Sequence, residues 1–241
     1  MLHSPPRPLL ELTGIAAGYR RMQVLWGVDL AIHEYESLVL LGVNGAGKTT
    51  LLKAIMSLVE VWDGRIAFAG EDITRLRPDQ RVRRGIVFMS ETSGFPGLSV
   101  AENLLIGGQF LPRHRARERI EELYAVFPAL AERARAAAGS LSGGQRKMLG
   151  IAKALVGEPR LLVMDEPSAG LSPRYVKDVI ALLAQFHANN LALLIAEQSV
   201  KFLTLADRVY TLDNGRIGFS GTVDAMQEND VLRRAYFGLN G

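Results

Sequence analysis

The chain of 241 residues contains no cysteine. A disulfide framework and a thiolate metal site are therefore excluded, and an intracellular setting is permitted without being required. No apolar run approaches the ~18 residues that span a bilayer. Residues 1–8 are short and Pro-rich and lack the apolar core of a secretory signal. These absences predict a soluble chain that works at a membrane only through another chain. An excess of one charge is missing too: 28 basic and 25 acidic residues leave a formal +3. Despite a sequence pI of about 9.3, so small an imbalance is a poor footprint for nucleic acid, and no nucleic-acid partner is expected. There is no internal repeat and no low-complexity tract. What is present is 48% hydrophobic, enough for one sizeable core with room for an inserted subdomain.

Short apolar runs alternate with longer helical patterns, which predicts an α/β fold with a largely parallel sheet. Residues 38–41, 161–164 and 191–196 read as strands buried on both faces. Asn214-Gly215 between residues 209–212 and 216–219 signals a β-hairpin, because both turn positions need positive φ. Ser172-Pro173 reads as an N-cap and first helical residue opening a helix to Phe186, and Ser99 with Glu102 fits a capping box. Residues 92–140 differ in texture, with Ala- and Arg-rich helical stretches broken by Pro112, Pro128 and Gly139 and no convincing strand. We read residues 1–241 as one domain with a helical subdomain inserted at 92–140. The basic cluster at 113–119 reads as a solvated helix face.

Three motifs carry chemistry. Gly42, Val43, Asn44, Gly45, Ala46, Gly47, Lys48 and Thr49, followed by Thr50, match the Walker A phosphate loop, between an apolar strand and an apolar-periodic helix over 49–58. Its glycines let successive N–H groups turn toward phosphate oxygens, and the helix N-terminus adds partial positive charge. Lys48 is expected between the β- and γ-phosphates, with the Thr49 hydroxyl on Mg²⁺. The alternative is a glycine-rich turn that binds nothing. Residues 161–166 are an apolar strand ending in Asp165 and Glu166. Beyond the carboxyl end of a parallel strand, Asp165 would hold the metal and Glu166 would orient or deprotonate water at the γ-phosphate; otherwise the pair only caps. Ser142, Gly143, Gly144 and Gln145 open a helix over 145–156 and form a second anion site at a second helix N-terminus. One triphosphate does not need two such sites in one chain. The arrangement makes sense if two subunits face each other head to tail. A plain capping loop is the other reading.

Walker A, Leu141-Ser142-Gly143-Gly144-Gln145, the acidic strand end and Ser168-Ala169-Gly170-Leu171 follow the order found in ATP-binding-cassette (ABC) ATPases, and nearly the whole chain resembles that family. The resemblance implies a P-loop NTPase core with an N-terminal antiparallel β region, and ATP and Mg²⁺ as ligands. It places Tyr19 where the family stacks an aromatic on adenine, although an exposed strand-end tyrosine would read the same way. Two positions depart from the common pattern: Glu91 stands where glutamine is usual, and Gln198 replaces the switch histidine. Glu91 can still reach the metal shell. Gln198 can hydrogen-bond a phosphate oxygen but cannot carry the charge of His⁺. With residues 99–104 and 232–238, this pair resembles the smaller ATPase subunit of branched-chain amino acid importers of the LIV type. That resemblance implies a second ATPase subunit, a different chain with pairing of two identical copies as the alternative, two integral-membrane permeases, an extracytoplasmic solute-binding protein, and a place on the inner face of the cell membrane. It also implies that residues 95–98, an apolar patch, grip the permease; local packing is the alternative. A non-transport ABC ATPase and a weakly catalytic partner in a heterodimer remain as other readings.

Overall fold

The computed structural model describes residues 7–90 and 94–238. The chain opens with strands β1 (Leu10–Tyr19), β2 (Met22–Ile32) and β3 (Ser37–Leu41), then helix α1 (Lys48–Ile55). Strands β4 (Val61–Phe68) and β5 (Glu71–Asp72), helix α2 (Pro78–Val82) and strand β6 (Ile86–Met89) follow. Helices α3 (Val100–Gly107), α4 (Arg113–Val126), α5 (Pro128–Ala131) and α6 (Gly143–Val156) lead to β7 (Leu161–Asp165), α7 (Pro173–Ala188) and β8 (Ala192–Glu197). The hairpin β9 (Arg208–Asp213) and β10 (Arg216–Gly221) and helices α8 (Val223–Glu228) and α9 (Asp230–Phe237) complete it.

The strands form two sheets, a four-stranded one in the order β2-β1-β4-β5 and a six-stranded one in the order β10-β9-β3-β8-β7-β6. The small sheet is antiparallel. In the large one β9, β3, β8, β7 and β6 run parallel, and β10 returns antiparallel along β9. The mostly parallel α/β core and the antiparallel N-terminal region are thus as the sequence implied. Among the described residues no helix is long and apolar enough to cross a membrane.

Side-chain parity in the central strands explains why both faces are apolar. Leu38, Leu40, Leu161, Val163, Ala192 and Leu194 pack with α1 and the small sheet. Their alternates Val39, Leu41, Leu162, Met164, Leu193 and Ile195 pack with α3, α6 and α7. A strand buried on both faces has no polar side, so it reads as a continuous apolar run. The same parity decides where the strand ends point. Asp165 lies on the α1 side with Leu161 and Val163, whereas Glu197 lies on the α6/α7 side with Leu193 and Ile195.

Between β6 and β7, which pair directly, the described residues 94–140 hold α3, α4, α5 and a 3-10 turn at Ala138–Ser140. No strand occurs there beyond an isolated bridge between Ser99 and Ala137. Pro112 precedes α4, and Pro128 is the first residue of α5. The Ser99–Glu102 capping box forms. In the basic cluster, Arg115 pairs with Glu118, Glu122 and Glu158, and Arg119 pairs with Glu122. Several helix ends differ from the sequence reading, and α7 runs two residues beyond Phe186. Helix α1 stops at Ile55, because Ser57 takes φ 57°. Ser172 holds the N-cap position of α7 but makes no side-chain capping bond.

The C-terminal end of α1 is held by a residue the sequence did not single out. Arg81 is 0% exposed. It donates to Ala54 O at 3.0 Å, Ile55 O at 2.6 Å, Leu76 O at 3.1 Å and Thr74 O at 2.8 Å. Two of these carbonyls close α1, where Ala54 O also accepts from Ser57 N at 3.0 Å, and the cation faces the negative end of the helix dipole. Burial pushes its guanidinium down to about 10, opposed by Asp72, so it stays charged at neutral pH. Arg81→Met removes all four bonds, a loss of about 3 kcal/mol in total, because Ala54 O keeps its bond from Ser57 N. The thermal midpoint is expected to fall by about 6–12 °C in a chain of this size. A calorimetric change under about 2 °C would show that those carbonyls find other partners.

Candidate functional site

The site forms at the carboxyl ends of β3, β7 and β8. Between β3 and α1 the loop 42–47 turns tightly, with Gly45 at φ 82° and Gly47 at φ 109°. The glycines do different work. A Cβ at Gly42 would lie 2.6 Å from Leu212 O, so that glycine is required by packing, whereas nothing lies within 4 Å of one at Gly45, which faces open space. The loop is held from outside by the β9–β10 turn, where Asn214 (φ 45°) and Gly215 (φ 74°) adopt the left-handed conformations expected of them. Gly215 N donates to Ala46 O, and Gly215 O accepts from Trp26 N, both at 2.9 Å. The hairpin turn thus buttresses the phosphate loop from about 170 residues away.

Lys48 is 4% exposed. Its Nζ donates to Gly42 O at 2.8 Å and Val43 O at 3.2 Å, and lies 3.2 Å from Glu166 Oε1. Thr49 is half-buried beside it, and Val43, Asn44 and Gly45 are exposed. Asp165 is buried, and its Oδ1 has no hydrogen-bond partner. Burial pushes its carboxyl above the usual range, against the Thr49 hydroxyl, which lowers it. A buried carboxylate oxygen without a partner, next to a threonine hydroxyl, suits a hard cation that takes oxygen ligands. Among the described residues no three His, Cys, Asp or Glu side chains cluster as a self-sufficient metal cage.

Glu166 has φ 45°, rare for a residue with a Cβ and costing about 1–3 kcal/mol unless its surroundings hold it. Here Glu166 N donates to Ala196 O at 2.9 Å, and the buried Lys147 of α6 donates from Nζ to Glu166 O at 3.3 Å. The peptide is fixed on both sides, and its carboxylate, 29% exposed, is turned onto Lys48. Gln198 follows β8 directly and is exposed. As β8 lies between β3 and β7, the structure brings Lys48, Thr49, Asp165, Glu166 and Gln198 to one edge. Tyr19, 40% exposed at the end of β1, receives a long bond (3.5 Å) from Thr50 Oγ1, which sets its ring beside α1. Glu91 lies outside the described residues.

The second helix N-terminus is built separately. Helix α6 starts at Gly143, two residues earlier than the sequence suggested, because Ser142 caps it. Ser142 Oγ accepts from Gln145 N at 3.2 Å, and Gln145 Oε1 accepts from Ser142 N at 3.0 Å. Gln145 is therefore turned back onto its own helix end, while the Ser142 hydroxyl proton stays available. Gly143 faces open space, whereas a Cβ at Gly144 would lie 2.5 Å from the Tyr175 ring. Lys147, reaching Glu166 O, ties this helix to the acidic strand end.

Sequence reasoning missed Glu197. It is 2% exposed, and its carboxylate accepts from Ser168 N at 2.8 Å, Gln198 N at 3.1 Å and Ser199 N at 3.4 Å. The available signal was an acidic residue ending an all-apolar strand, as at Asp165.

A glycine-rich loop on α1, an acidic end on β7 and a capped Ser-Gly-Gly turn on α6 define an ATP-binding cassette. The ABC transporter family model matches residues 25–169. The chain is 34% identical over 234 residues to the probable branched-chain amino acid transport ATP-binding protein LivF of Archaeoglobus fulgidus, covering 96% of this chain and 99% of that one. It is also 34% identical to the high-affinity branched-chain amino acid transport ATP-binding protein BraG of Pseudomonas aeruginosa (95% and 100% covered). The lipopolysaccharide export system ATP-binding protein LptB of Haemophilus influenzae matches at the same 34% (95% and 97%). Among solved structures, the ADP conformation of MJ1267, an ATP-binding cassette of an ABC transporter, superposes with a TM-score of 0.85 at 26% identity, covering 96% of this chain and 99% of that one. The chain belongs to the ABC transporter family and is the ATPase subunit of a transporter.

Proposed function

We propose that the chain powers uptake of branched-chain or related amino acids, as one of two different cassettes attached to a pair of integral-membrane permeases on the inner face of the cell membrane. The contact of Lys48 with Glu166, 3.2 Å apart at the end of β7, carries the catalytic part of this reading. In it, Lys48 and the N–H groups of the 42–47 loop hold the β- and γ-phosphates, and Tyr19 stacks on the base. Thr49 and Asp165 would hold Mg²⁺, with Glu91 assigned to the same site. Mg²⁺ there would neutralise charge on the phosphate oxygens. Glu166 takes the proton of the attacking water, and Gln198 offers its amide to a γ-phosphate oxygen. Ser142, Gly143, Gly144 and Gln145 close on the nucleotide of the partner cassette.

A cleft of about 310 Å³ lined by Met89, Phe95, Ile106, Phe110 and Lys153 supports permease docking beside the 95–98 patch. Phe95 is half-exposed, although Asn103 fixes its backbone by two hydrogen bonds.

Identity does not choose between amino acid import and lipopolysaccharide export, since relatives of both kinds stand at 34%. The pair Glu91 and Gln198, with the closing residues 232–238, favours import. The test is the complex of this chain with its partner ATPase, permeases and binding protein, reconstituted in vesicles. ATP-dependent accumulation of labelled leucine or a related amino acid is expected. ATP turnover indifferent to amino acids and binding protein would contradict import, and stimulation by lipopolysaccharide would favour the export reading.

A further inference from the structure

Glu197 is a buried carboxylate whose partners are all backbone N–H groups, and among the described residues it forms no salt bridge. A buried charge without a counter-ion persists only where hydrogen bonds replace its hydration, so the three donors are held to it as strongly as it is held to them. They come from two segments. Ser168 is two residues beyond Glu166, and Gln198 and Ser199 begin the segment after β8. The main chain of the same strand end adds two more ties: Glu197 O accepts from Gly42 N at 3.3 Å, and Ala196 O accepts from Glu166 N at 2.9 Å. Three pieces of the site therefore converge on the last two residues of β8. The main-chain ties would survive any substitution at 197, but the Ser168–Gln198 tie runs through the carboxylate alone.

We propose that Glu197 is a positioning residue: its carboxylate couples the turn bearing Glu166 to the segment bearing Gln198, so that both address the same γ-phosphate. This rests on the proposed roles of Glu166 and Gln198. A single oxygen would not suffice, since Oε1 serves Ser168 while Oε2 serves Gln198 and Ser199. Glu197→Gln keeps the volume but turns one oxygen into an NH₂ donor. Whichever way the amide flips, a donor meets a donor, and either Ser168 N or the Gln198 and Ser199 N–H groups lose their acceptor.

The test is ATP turnover by the assembled complex carrying E197Q in this chain, with E166Q as control. E197Q is expected to lower kcat at least about tenfold while KM for ATP changes less than about threefold, the pattern of an interaction realised in the transition state. General loss of fold would instead lower the amount of active complex and the thermal midpoint. Amide exchange on the full wild-type chain gives a second readout if E197Q does not fold: the loop amides of Ser168 and Gln198 are expected to be protected. Unprotected amides, or wild-type kcat in E197Q when E166Q is inactive, would overturn the proposal alone. Turnover retained in E166Q would overturn the reading on which it rests.

Discussion

Glu166→Gln is expected to lower ATP turnover by the assembled complex about 10²- to 10⁴-fold, the range for a positioned general base, with ATP binding preserved. The structure gives the reason. The residue occupies a left-handed conformation that only its surroundings sustain, with its N–H on Ala196 and its C=O on Lys147. That backbone turns the carboxylate off the strand axis and onto Lys48, where the γ-phosphate would lie. Glutamine has the same shape and no basic oxygen, so binding survives and proton transfer does not. Phosphate release under saturating Mg-ATP measures it, and undiminished turnover would remove Glu166 from the catalytic role.

Lys48→Ala acts one step earlier. The ammonium is nearly fully buried, held by two loop carbonyls and the Glu166 carboxylate, and it is the formal positive charge the site offers a triphosphate from the phosphate loop. Removing one partner of a desolvated charge pair costs about 2–5 kcal/mol, so nucleotide affinity is expected to fall by at least roughly 30-fold. Ligand at a hundredfold excess over Kd stabilises a protein by about 2.7 kcal/mol, or about 5–10 °C at this size. The wild-type chain should show that shift with Mg-ATP, and K48A should not. A retained shift would contradict the phosphate-cradle role.

How much of this was legible before the structure depends on the range of the interactions. Gly42, Gly47, Lys48 and Thr49 could be read because a phosphate loop is local, a strand, a turn and a helix start within a dozen residues. Asp165 was legible because a strand apolar on both faces must end where its first carboxylate appears. The start of α6 lies two residues before the predicted one, because Ser142 and Gln145 form a reciprocal cap that brings Gly143 and Gly144 into the helix. The remaining misses are all long-range. Arg81 carries no local signal, and only the fold brings the end of α1 onto it. Gly144 could be read as part of a helix N-terminus, but the Tyr175 ring that fills the space a Cβ would take there could not. Asn214-Gly215 was recognised as a turn, but its grip on the phosphate loop could not be. Glu197 was passed over beside the more familiar departure at Gln198.

The central claim is that nucleotide held by Lys48, Thr49, Asp165 and Glu166 is closed over by a second, different cassette. Sedimentation of the E166Q chain mixed with its partner ATPase, with and without Mg-ATP, tests it most directly. With hydrolysis blocked, the closed state cannot decay, so a 1:1 heterodimer that forms only with Mg-ATP is the predicted result. A chain that stays monomeric with both partner and Mg-ATP present would contradict the shared site, and one that pairs only with itself would contradict the different partner.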